Sequence, residues 1–237
     1  MKRDVKAILF DVFGTVVDWR SSLIENFTQW GGAKGIDADW SLLVDAWRNA
    51  YMPSMEKVRK HPELGFATLD TLQRDSIESL AARLGIKGLQ SDDYDYLTYG
   101  WHRLNPWPDS VPGLVRLKSK FIVGPLSNGN IALLVNMAKY AGLPWDVVLS
   151  AEVFKHYKPD AEVYLGAARV LGLAPHEVML VAAHNNDLGA AKSFGLKTCF
   201  VPRPTEHGPQ QKCDLRPEDD WTTIVKDIND LAARFGC

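Results

Sequence analysis

The sequence lacks the features that mark several classes of protein. Its 237 residues include three cysteines, Cys199, Cys213 and Cys237, an odd and widely spaced set without a CxxC pair. This pattern is typical of reduced thiols rather than of a disulfide framework or a zinc site. No apolar run reaches the length of a bilayer span, and the N-terminus does not resemble a signal peptide. We therefore expect a cytoplasmic protein without a membrane-spanning segment.

The chain also lacks an excess of positive charge. Its 27 Lys and Arg residues are set against 29 Asp and Glu residues, which gives a formal net charge of -2. No broad positive field is present to attract nucleic acid or an anionic membrane. We therefore expect neither as a partner, and local charges must bind any small anionic ligand.

Apolar runs rich in β-branched residues alternate with helical patterns over most of the chain. The runs at 5–10, 121–126, 146–149, 178–182 and 197–201 predict strands, and the segments 131–141, 161–171 and 187–194 predict helices. This alternation predicts an α/β fold, a Rossmann-like parallel sheet flanked by helices. Residues 202–221 are rich in Pro, Gly and charge and predict a surface loop, followed by a last helix over 222–235.

One interval interrupts the alternation. Between residues 19 and 105, amphipathic helical stretches replace the strand pattern. Pro106, Pro108 and Pro112 then mark the return to sheet-forming sequence. We therefore expect a core domain formed by residues 1–18 and 106–237, with an inserted cap domain of about four helices over residues 19–105.

Polar residues follow the predicted strands, at the edge where open parallel sheets bind ligands. The four segments are Asp11-Val12-Phe13-Gly14-Thr15, Ser127-Asn128-Gly129, Tyr157-Lys158-Pro159 and Ala183-His184-Asn185-Asn186-Asp187. They bring carboxylates, hydroxyls, amides and a lysine to one edge of the sheet. No G-x-G-x-x-G or P-loop follows the first strand, so the common nucleotide-binding motifs are absent.

This order of motifs resembles the haloacid dehalogenase superfamily, and the Asp11 loop with the Ser-Asn-Gly segment is most similar to its 2-haloacid dehalogenase branch. The resemblance covers nearly the whole chain, including the helical cap. It implies a hydrolytic dehalogenase that converts short 2-haloacids, either haloacetates with fluoroacetate among them or (S)-2-haloalkanoates, to 2-hydroxyacids. The implied mechanism is attack of the Asp11 carboxylate on C2, release of halide and hydrolysis of the resulting ester by water. It implies no cofactor and no metal, and a homodimer.

Position 13 bears on the choice between a dehalogenase and a phosphatase. Phosphatases of the superfamily carry a second Asp two residues after the nucleophile, where it protonates the leaving alkoxide. Phe13 cannot supply a proton, whereas halide leaves without one. One alternative is a magnesium-dependent phosphatase of small molecules, with an acid from elsewhere and the metal near Asp11 and Asp187. Another is a non-catalytic protein that binds a small carboxylate, against which the Asp11 and Lys158 pair argues.

The resemblance also implies roles for the other candidates. Lys158 keeps Asp11 ionised, and Thr15 and Ser127 donate hydrogen bonds to Asp11 and to the substrate carboxylate. Arg48, in the cap, binds that carboxylate or the departing halide. The implied substrate-binding residues are Val12, Phe13, Trp47, Tyr51, Phe66, Asn128, Tyr164 and Asn185.

The fourth motif departs from the family pattern. Ala182 and His184 stand where better-known members carry a Ser and an Asn. Two interpretations of His184 stay open: it activates the hydrolytic water, or it is a neutral hydrogen-bonding substitute for the amide. Asp187 keeps its place and is expected to orient Lys158 or the water.

Overall fold

The structure, a computed structural model, describes residues 4–237, and a six-stranded parallel sheet lies at the centre of that range. The strands are β1 (Ala7–Phe10), β2 (Val17–Asp18), β3 (Asn105–Pro106), β4 (Ile122–Ser127), β5 (Leu149–Ser150), β6 (Val178–Ala182), β7 (Lys197–Phe200) and β8 (Thr223–Ile224). The sheet has the order β5-β4-β1-β6-β7-β8, and β2 pairs with β3 in a separate antiparallel ribbon.

Helices lie on both faces of the sheet, and along the chain they alternate with its strands. They are α1 (Trp19–Lys34), α2 (Trp40–Lys60), α3 (Leu69–Arg83), α4 (Ser91–Thr98), α5 (Ser110–Lys118), α6 (Ile131–Ala141), α7 (Ala151–Phe154), α8 (Ala161–Val170), α9 (Asn185–Ser193) and α10 (Ile228–Arg234). Every residue of β1 and of β6 is buried, which explains why the sequence of each strand is a continuous run of apolar residues. The predicted α/β fold is confirmed.

The prediction of a last helix over 222–235 is wrong in its first half. Thr223 and Ile224 instead extend the sheet beside Cys199 and Phe200. The helix begins only after Asp227, whose side chain caps it by accepting a hydrogen bond from the backbone N–H of Asp230 at 2.7 Å. The short strand and the helix share one apolar pattern, so periodicity alone could not separate them.

The β2–β3 ribbon brings together two points that are distant in the chain. Helices α1 to α4 all fall between its two strands in the sequence, and we call these four helices the cap. Cap and core also meet at Asp70 and Asn130: the Asn130 amide donates to the Asp70 carboxylate at 2.8 Å, and its oxygen accepts from the Asp70 N–H at 3.2 Å. Over residues 4–237, no helix has both the length and the apolar character needed to cross a bilayer.

Candidate active site

The polar segments predicted at the strand ends meet beside the centre of the sheet. β1 lies between β4 and β6, so Asp11 lies between the segments that begin at Ser127 and Ala183. The Asp11 N–H donates to the carbonyl oxygen of Val181 at 3.0 Å, which continues the pairing of β1 with β6. The side chain of Asp11 therefore leaves the sheet at a fixed point, where it is 11% exposed.

Lys158 and Asp11 form a buried ion pair. Lys158 Nζ donates to Asp11 Oδ1 at 2.9 Å, and on its other side it donates to Asp187. Burial alone would raise the pKa of Asp11, but the charge of Lys158 and the hydrogen bond and charge of His184 hold it far below its usual range. Burial would likewise lower the pKa of Lys158, but Asp11 and Asp187 raise it. Asp11 is therefore an ionised carboxylate, as a nucleophile must be.

Thr15 holds the second oxygen of Asp11. Its hydroxyl donates to Asp11 Oδ2 at 2.8 Å and accepts from the backbone N–H of Ala183 at 2.9 Å. Since that N–H occupies a lone pair of the hydroxyl oxygen, the hydroxyl hydrogen is available to the carboxylate. The first and fourth motifs are thus joined through one side chain.

Tyr164 fixes Asp187 from the side opposite Lys158. Its hydroxyl donates to Asp187 Oδ1 at 2.7 Å, while Lys158 holds the other carboxylate oxygen. Burial raises the pKa of Tyr164, and the neighbouring Asp187 raises it further. The tyrosine therefore keeps its proton as a donor.

His184 lies between two carboxylates. Its Nδ1 is 3.1 Å from Asp11 Oδ2, and its Nε2 is 2.9 Å from Glu206 Oε2. Burial would lower the pKa of His184, but the charge of Glu206 and the hydrogen bonds to Asp11 and Glu206 raise it well above its ordinary value. Because carboxylates only accept hydrogen bonds, the charged ring donates from both nitrogens. The two carboxylate neighbours thus favour the charged form of the ring in the free protein.

One group of side chains in residues 4–237 has ligand atoms close enough together to hold a metal ion. It consists of His184, Glu206 and His207, whose ligand atoms lie within 4.8 Å of one another. The distance of 2.9 Å between His184 Nε2 and Glu206 Oε2 is that of a hydrogen bond. Two ligands of a tetrahedral zinc with bonds of about 2.0–2.1 Å would lie farther apart. The spacing therefore fits a proton between the two groups better than a metal ion.

A cavity of about 390 Å³ opens above Asp11. This volume suits a small molecule, since ligand pockets run from about 300 to 1,000 Å³. The lining residues come from both the cap and the core: Asp11, Phe13, Arg48, Asn49, Tyr51, Met52, Asn128, Lys158, Pro159, Tyr164, His184, Asn186, Asp187, His207 and Asp214.

Arg48 is the cation that the cap contributes to this cavity. Its guanidinium carbon lies 4.4 Å from the ring centre of Tyr51 and 5.2 Å from that of Trp19. Contact with these two aromatic rings fixes the orientation of the guanidinium plane. Nη1 is buried and has no hydrogen-bond partner in the structure. A buried donor without a partner is costly, so this nitrogen suits an anionic ligand that accepts from it.

Asn128 and Phe13 complete the cavity near Asp11. The side-chain oxygen of Asn128 accepts from the N–H of Lys158 at 2.8 Å, which leaves its amide hydrogens as donors. Phe13 packs edge-on against Trp101, with 5.8 Å between ring centres. The position that carries an acid in phosphatases is therefore an apolar wall of this cavity.

Some predicted site residues lie outside the cavity lining. Trp47 donates to Gln73 O and to Ser76 Oγ inside the cap, because its ring packs against Phe27 and Trp101. Phe66 packs on Tyr157, with ring centres 4.9 Å apart, and lines a separate cavity. Neither residue therefore lines the cavity above Asp11, where the sequence predicted both.

Three further predicted site residues do not line the cavity and have other hydrogen-bond partners: Val12, Ser127 and Asn185. The carbonyl of Val12 accepts from two N–H groups of the turn that follows. Ser127 Oγ is fully buried and accepts from the Gly129 N–H at 3.2 Å. The amide of Asn185 donates to Asp214 at 2.8 Å, and its oxygen accepts from the Trp221 indole N–H at 3.1 Å. At the start of α9 this side chain is thus engaged by residues of the C-terminal tail.

Glu206 is the functional residue that sequence reasoning missed. It lies in the segment predicted as a surface loop, yet its side chain is 1% exposed and contacts His184. Arg203 helps to hold this segment inside, because its Nε donates to Thr15 O at 3.0 Å and its other nitrogens bind Asp109. The local composition predicts a loop correctly, but nothing in it marks which loop residue turns inward.

Comparisons with known proteins agree with this geometry. The sequence profile of the haloacid dehalogenase-like hydrolases matches residues 5–195. The chain is 32% identical over 240 residues to (S)-2-haloacid dehalogenase 4A of Burkholderia cepacia, covering 98% of this chain and 94% of that protein.

Two solved structures are similar over nearly the full length. The crystal structure of a defluorinating L-2-haloacid dehalogenase superposes with a TM-score of 0.94 and 46% identity, covering 98% of this chain and 96% of that chain. That of a second L-2-haloacid dehalogenase gives a TM-score of 0.94 and 49% identity, covering 98% and 99%.

Proposed function

The chain belongs to the haloacid dehalogenase-like hydrolases, in the branch of the (S)-2-haloacid dehalogenases, and is a hydrolase of carbon–halide bonds; from this premise we propose that it converts short 2-haloacids to 2-hydroxyacids through an ester of Asp11. The proposed substrates are haloacetates and (S)-2-haloalkanoates. We include fluoroacetate because one similar structure is described as defluorinating.

The observation that carries the proposal is the state of the Asp11 carboxylate. It is ionised, buried and held by donors from Lys158, Thr15 and His184 at a cavity of suitable size. In the first step one carboxylate oxygen attacks C2 of the substrate, and the C–X bond breaks with its electron pair leaving as halide. The step needs no proton, which agrees with the apolar side chain at Phe13.

Arg48 is proposed to bind the substrate from the cap. Its unpartnered Nη1 can donate to the substrate carboxylate or to the departing halide, both of which are anions. Tyr51 and Phe13 border the same cavity and limit the room around the reacting carbon. The amide of Asn128 adds a donor toward the substrate.

Hydrolysis of the ester is the second proposed step. Water attacks the Asp11 carbonyl carbon, the bond from that carbon to the former carboxylate oxygen now attached to C2 breaks, and the 2-hydroxyacid leaves with that oxygen. We propose that His184 loses one proton to solvent once Asp11 is esterified and then accepts a proton of this water, because its ring lies directly beside Asp11. Lys158 remains to stabilise negative charge on the Asp11 oxygens, and Asp187 with Tyr164 orients Lys158.

The proposal is tested by halide release from chloroacetate and fluoroacetate in the presence of EDTA. We expect turnover by the parent enzyme without added metal, and none by Asp11→Ala. Phosphate release from phosphate monoesters, with and without magnesium, is measured on the same preparations. Metal-dependent phosphate release without halide release would overturn the proposal in favour of a phosphatase.

The ester itself is tested with isotopic water. A single turnover in H₂¹⁸O is expected to place the label in Asp11, since water attacks the carbonyl carbon of the enzyme ester. Direct attack of water on the substrate would place it in the 2-hydroxyacid instead. Peptide mass analysis of the segment containing Asp11 distinguishes the two.

We also propose that the enzyme acts in the cytoplasm and is a homodimer. The first proposal is supported by the cysteine pattern of the sequence, and the second by the family resemblance alone. Fractionation of cells tests the location, and light scattering measures the mass of the particle in solution. A monomer at micromolar concentration would contradict the dimer.

A further inference from the structure

Glu206 is a charged group held almost completely away from water. Its side chain is 1% exposed, whereas the neighbouring tail residues at 215–220 are exposed. Removing a carboxylate from water costs several kcal/mol unless partners replace the water. The partners of Glu206 therefore indicate what its burial serves.

Three residues, Gly14, Trp19 and His184, accommodate this carboxylate. The indole N–H of Trp19 donates to Glu206 Oε1 at 2.9 Å, and His184 Nε2 is within 3.1 Å of both carboxylate oxygens. At Gly14 a Cβ atom would lie 2.0 Å from Oε1, so only glycine leaves room for the group. The glycine of the first motif and the ring of the fourth motif thus both accommodate the same side chain.

The ring of His184 is consequently fixed at both nitrogens. Nε2 faces Glu206, and Nδ1 faces Asp11 Oδ2 at 3.1 Å. Asp11, His184 and Glu206 thus follow one another in a hydrogen-bonded series. Asp11 and His184 border the cavity, whereas Glu206 does not. A role for Glu206 in the reaction therefore has to act through His184.

Esterification changes the charge at one end of this line only. When the Asp11 oxygen forms its bond to C2, the carboxylate becomes a neutral ester, and Glu206 remains as the anion beside the ring. One of the two anions that held the second proton on His184 is then gone. That proton leaves to solvent, and a neutral ring with Nε2–H toward Glu206 presents the lone pair of Nδ1 to the ester.

We propose that Glu206 is a positioning residue for ester hydrolysis: it holds His184 with Nδ1 toward Asp11 and stabilises the imidazolium that forms when Nδ1 takes a proton from water. Water oxygen bonds to the Asp11 carbonyl carbon, and the bond from this carbon to the oxygen attached to C2 breaks. The leaving alkoxide takes the second proton of the water, which leaves Asp11 as a carboxylate. The products are the 2-hydroxyacid, the Asp11 carboxylate and the imidazolium. The proton lost earlier to solvent balances the reaction.

The charge states of the free enzyme support this role. Burial would raise the pKa of Glu206, but the charge and hydrogen bond of His184 lower it, and Arg48 and His207 lower it further. Glu206 therefore stays ionised at neutral pH. A charged carboxylate behind an imidazole orients the ring and stabilises the charge that the ring acquires as a base.

This inference rests on the proposed ester mechanism, and its experiment separates the two half-reactions. Chloroacetate is mixed with the parent enzyme and with Glu206→Gln, and halide, glycolate and intact protein mass are followed in rapid-quench samples. We expect Glu206→Gln to release one halide per site at a rate within threefold of the parent. Later turnovers should slow by 10²-fold or more, with a carboxymethyl ester on Asp11.

Matched variants keep the result interpretable. Glu218→Gln changes an exposed glutamate of the same tail and should behave as the parent. Trp19→Phe removes one hydrogen bond to Glu206 and should give the same pattern more weakly, so it serves if Glu206→Gln fails to fold. Glu206→Asp keeps the charge and should recover part of the hydrolysis rate.

The outcomes distinguish the two proposals. Equal slowing of halide release and hydrolysis in Glu206→Gln, without accumulated ester, would overturn the role given to Glu206, and so would an unchanged steady-state rate. Halide release by Asp11→Ala at the rate of the parent would instead overturn the ester mechanism.

Discussion

Lys158 Nζ lies 2.9 Å from Asp11 Oδ1 in an ion pair that is almost closed to solvent. Replacing the lysine in Lys158→Met leaves two buried carboxylates, Asp11 and Asp187, without their cation. We expect kcat/KM for chloroacetate to fall by about 10²-fold or more. Lys139→Met, at an exposed position on α6, is the control and should leave the rate unchanged.

The same variant should change the pH profile. Lys158 lowers the pKa of Asp11 in the parent, so Asp11 stays ionised to low pH. Without Lys158 the pKa rises, and protonation removes the nucleophile at a higher pH. The acid limb of the residual kcat/KM should therefore lie at higher pH than in the parent, and a coincident limb would contradict the role of the lysine.

Arg48→Lys keeps the positive charge but loses the planar group that stacks on Tyr51. We expect KM for chloroacetate to rise tenfold or more, which corresponds to about 1.4 kcal/mol of binding. Arg74→Lys, in an exposed ion pair with Asp95 on the outside of the cap, is the matched control. Equal effects of the two variants would mean that the change acts through cap stability rather than through the ligand.

Gly14→Ala is expected to destabilise the protein for two separable reasons. The φ angle of +84° disfavours a side chain, and the new Cβ would overlap the Glu206 carboxylate. We expect a loss of about 2–4 kcal/mol in the free energy of unfolding. In the Glu206→Ala background the destabilisation by Gly14→Ala should fall to about 1–2 kcal/mol, since only the unfavourable φ angle of the backbone remains.

Gly142→Ala provides the reference for that backbone term. Its φ is +67°, and a Cβ there would meet nothing within 4 Å. Urea unfolding of the four Gly14 and Glu206 combinations gives the coupling between these two sites. Zero coupling would show that the carboxylate moves aside freely when Gly14 gains a side chain.

Asp109→Asn is expected to destabilise the protein at neutral pH by about 3 kcal/mol, because it breaks the bidentate pair with buried Arg203. Burial would raise the pKa of Asp109, but the hydrogen bonds and charge of Arg203 hold it below the usual range. The folded state therefore binds this proton less readily than the unfolded chain. The pair stabilises above the unfolded pKa of about 3.9, and the stabilisation is lost as the pH falls through the folded pKa.

The difference in unfolding free energy between parent and Asp109→Asn should thus be complete at pH 7 and shrink below about pH 4. Asp219→Asn, at an exposed ion pair with Lys192, should show no comparable difference. A difference for Asp109→Asn that persists unchanged at low pH would assign the effect to packing instead of charge.

The core of the site could be predicted because it follows a rule of sheet architecture. Asp11, Lys158 and Asp187 lie in segments that the strand order brings to one edge, and they are in direct contact. Their positions after the predicted strands are sufficient to predict this contact, because the path of the backbone, rather than the side chains, determines where the three residues meet.

The remaining errors come from contacts that local sequence does not encode. Trp47 and Tyr51 lie on the same cap helix, yet only Tyr51 borders the substrate cavity. The choice depends on which face of α2 packs against Phe27 and Trp101. Glu206 was missed for a similar reason, since the fold of the tail depends on Arg203 binding the distant Asp109.

The burial of Glu206 against Trp19 and His184 also joins distant parts of the chain. Contacts of the site join residues 187 and 173 positions apart, from the first and last quarters of the chain. Contacts so distant in sequence form late in folding, because the entropy of closing a long loop is lost before the contacts contribute any favourable free energy. Under the proposed mechanism, a nascent chain that has already exposed Asp11 on the ribosome still lacks the side chains proposed to hydrolyse an ester there. Synthesis of the tail would then be the event that allows Asp11 to act more than once.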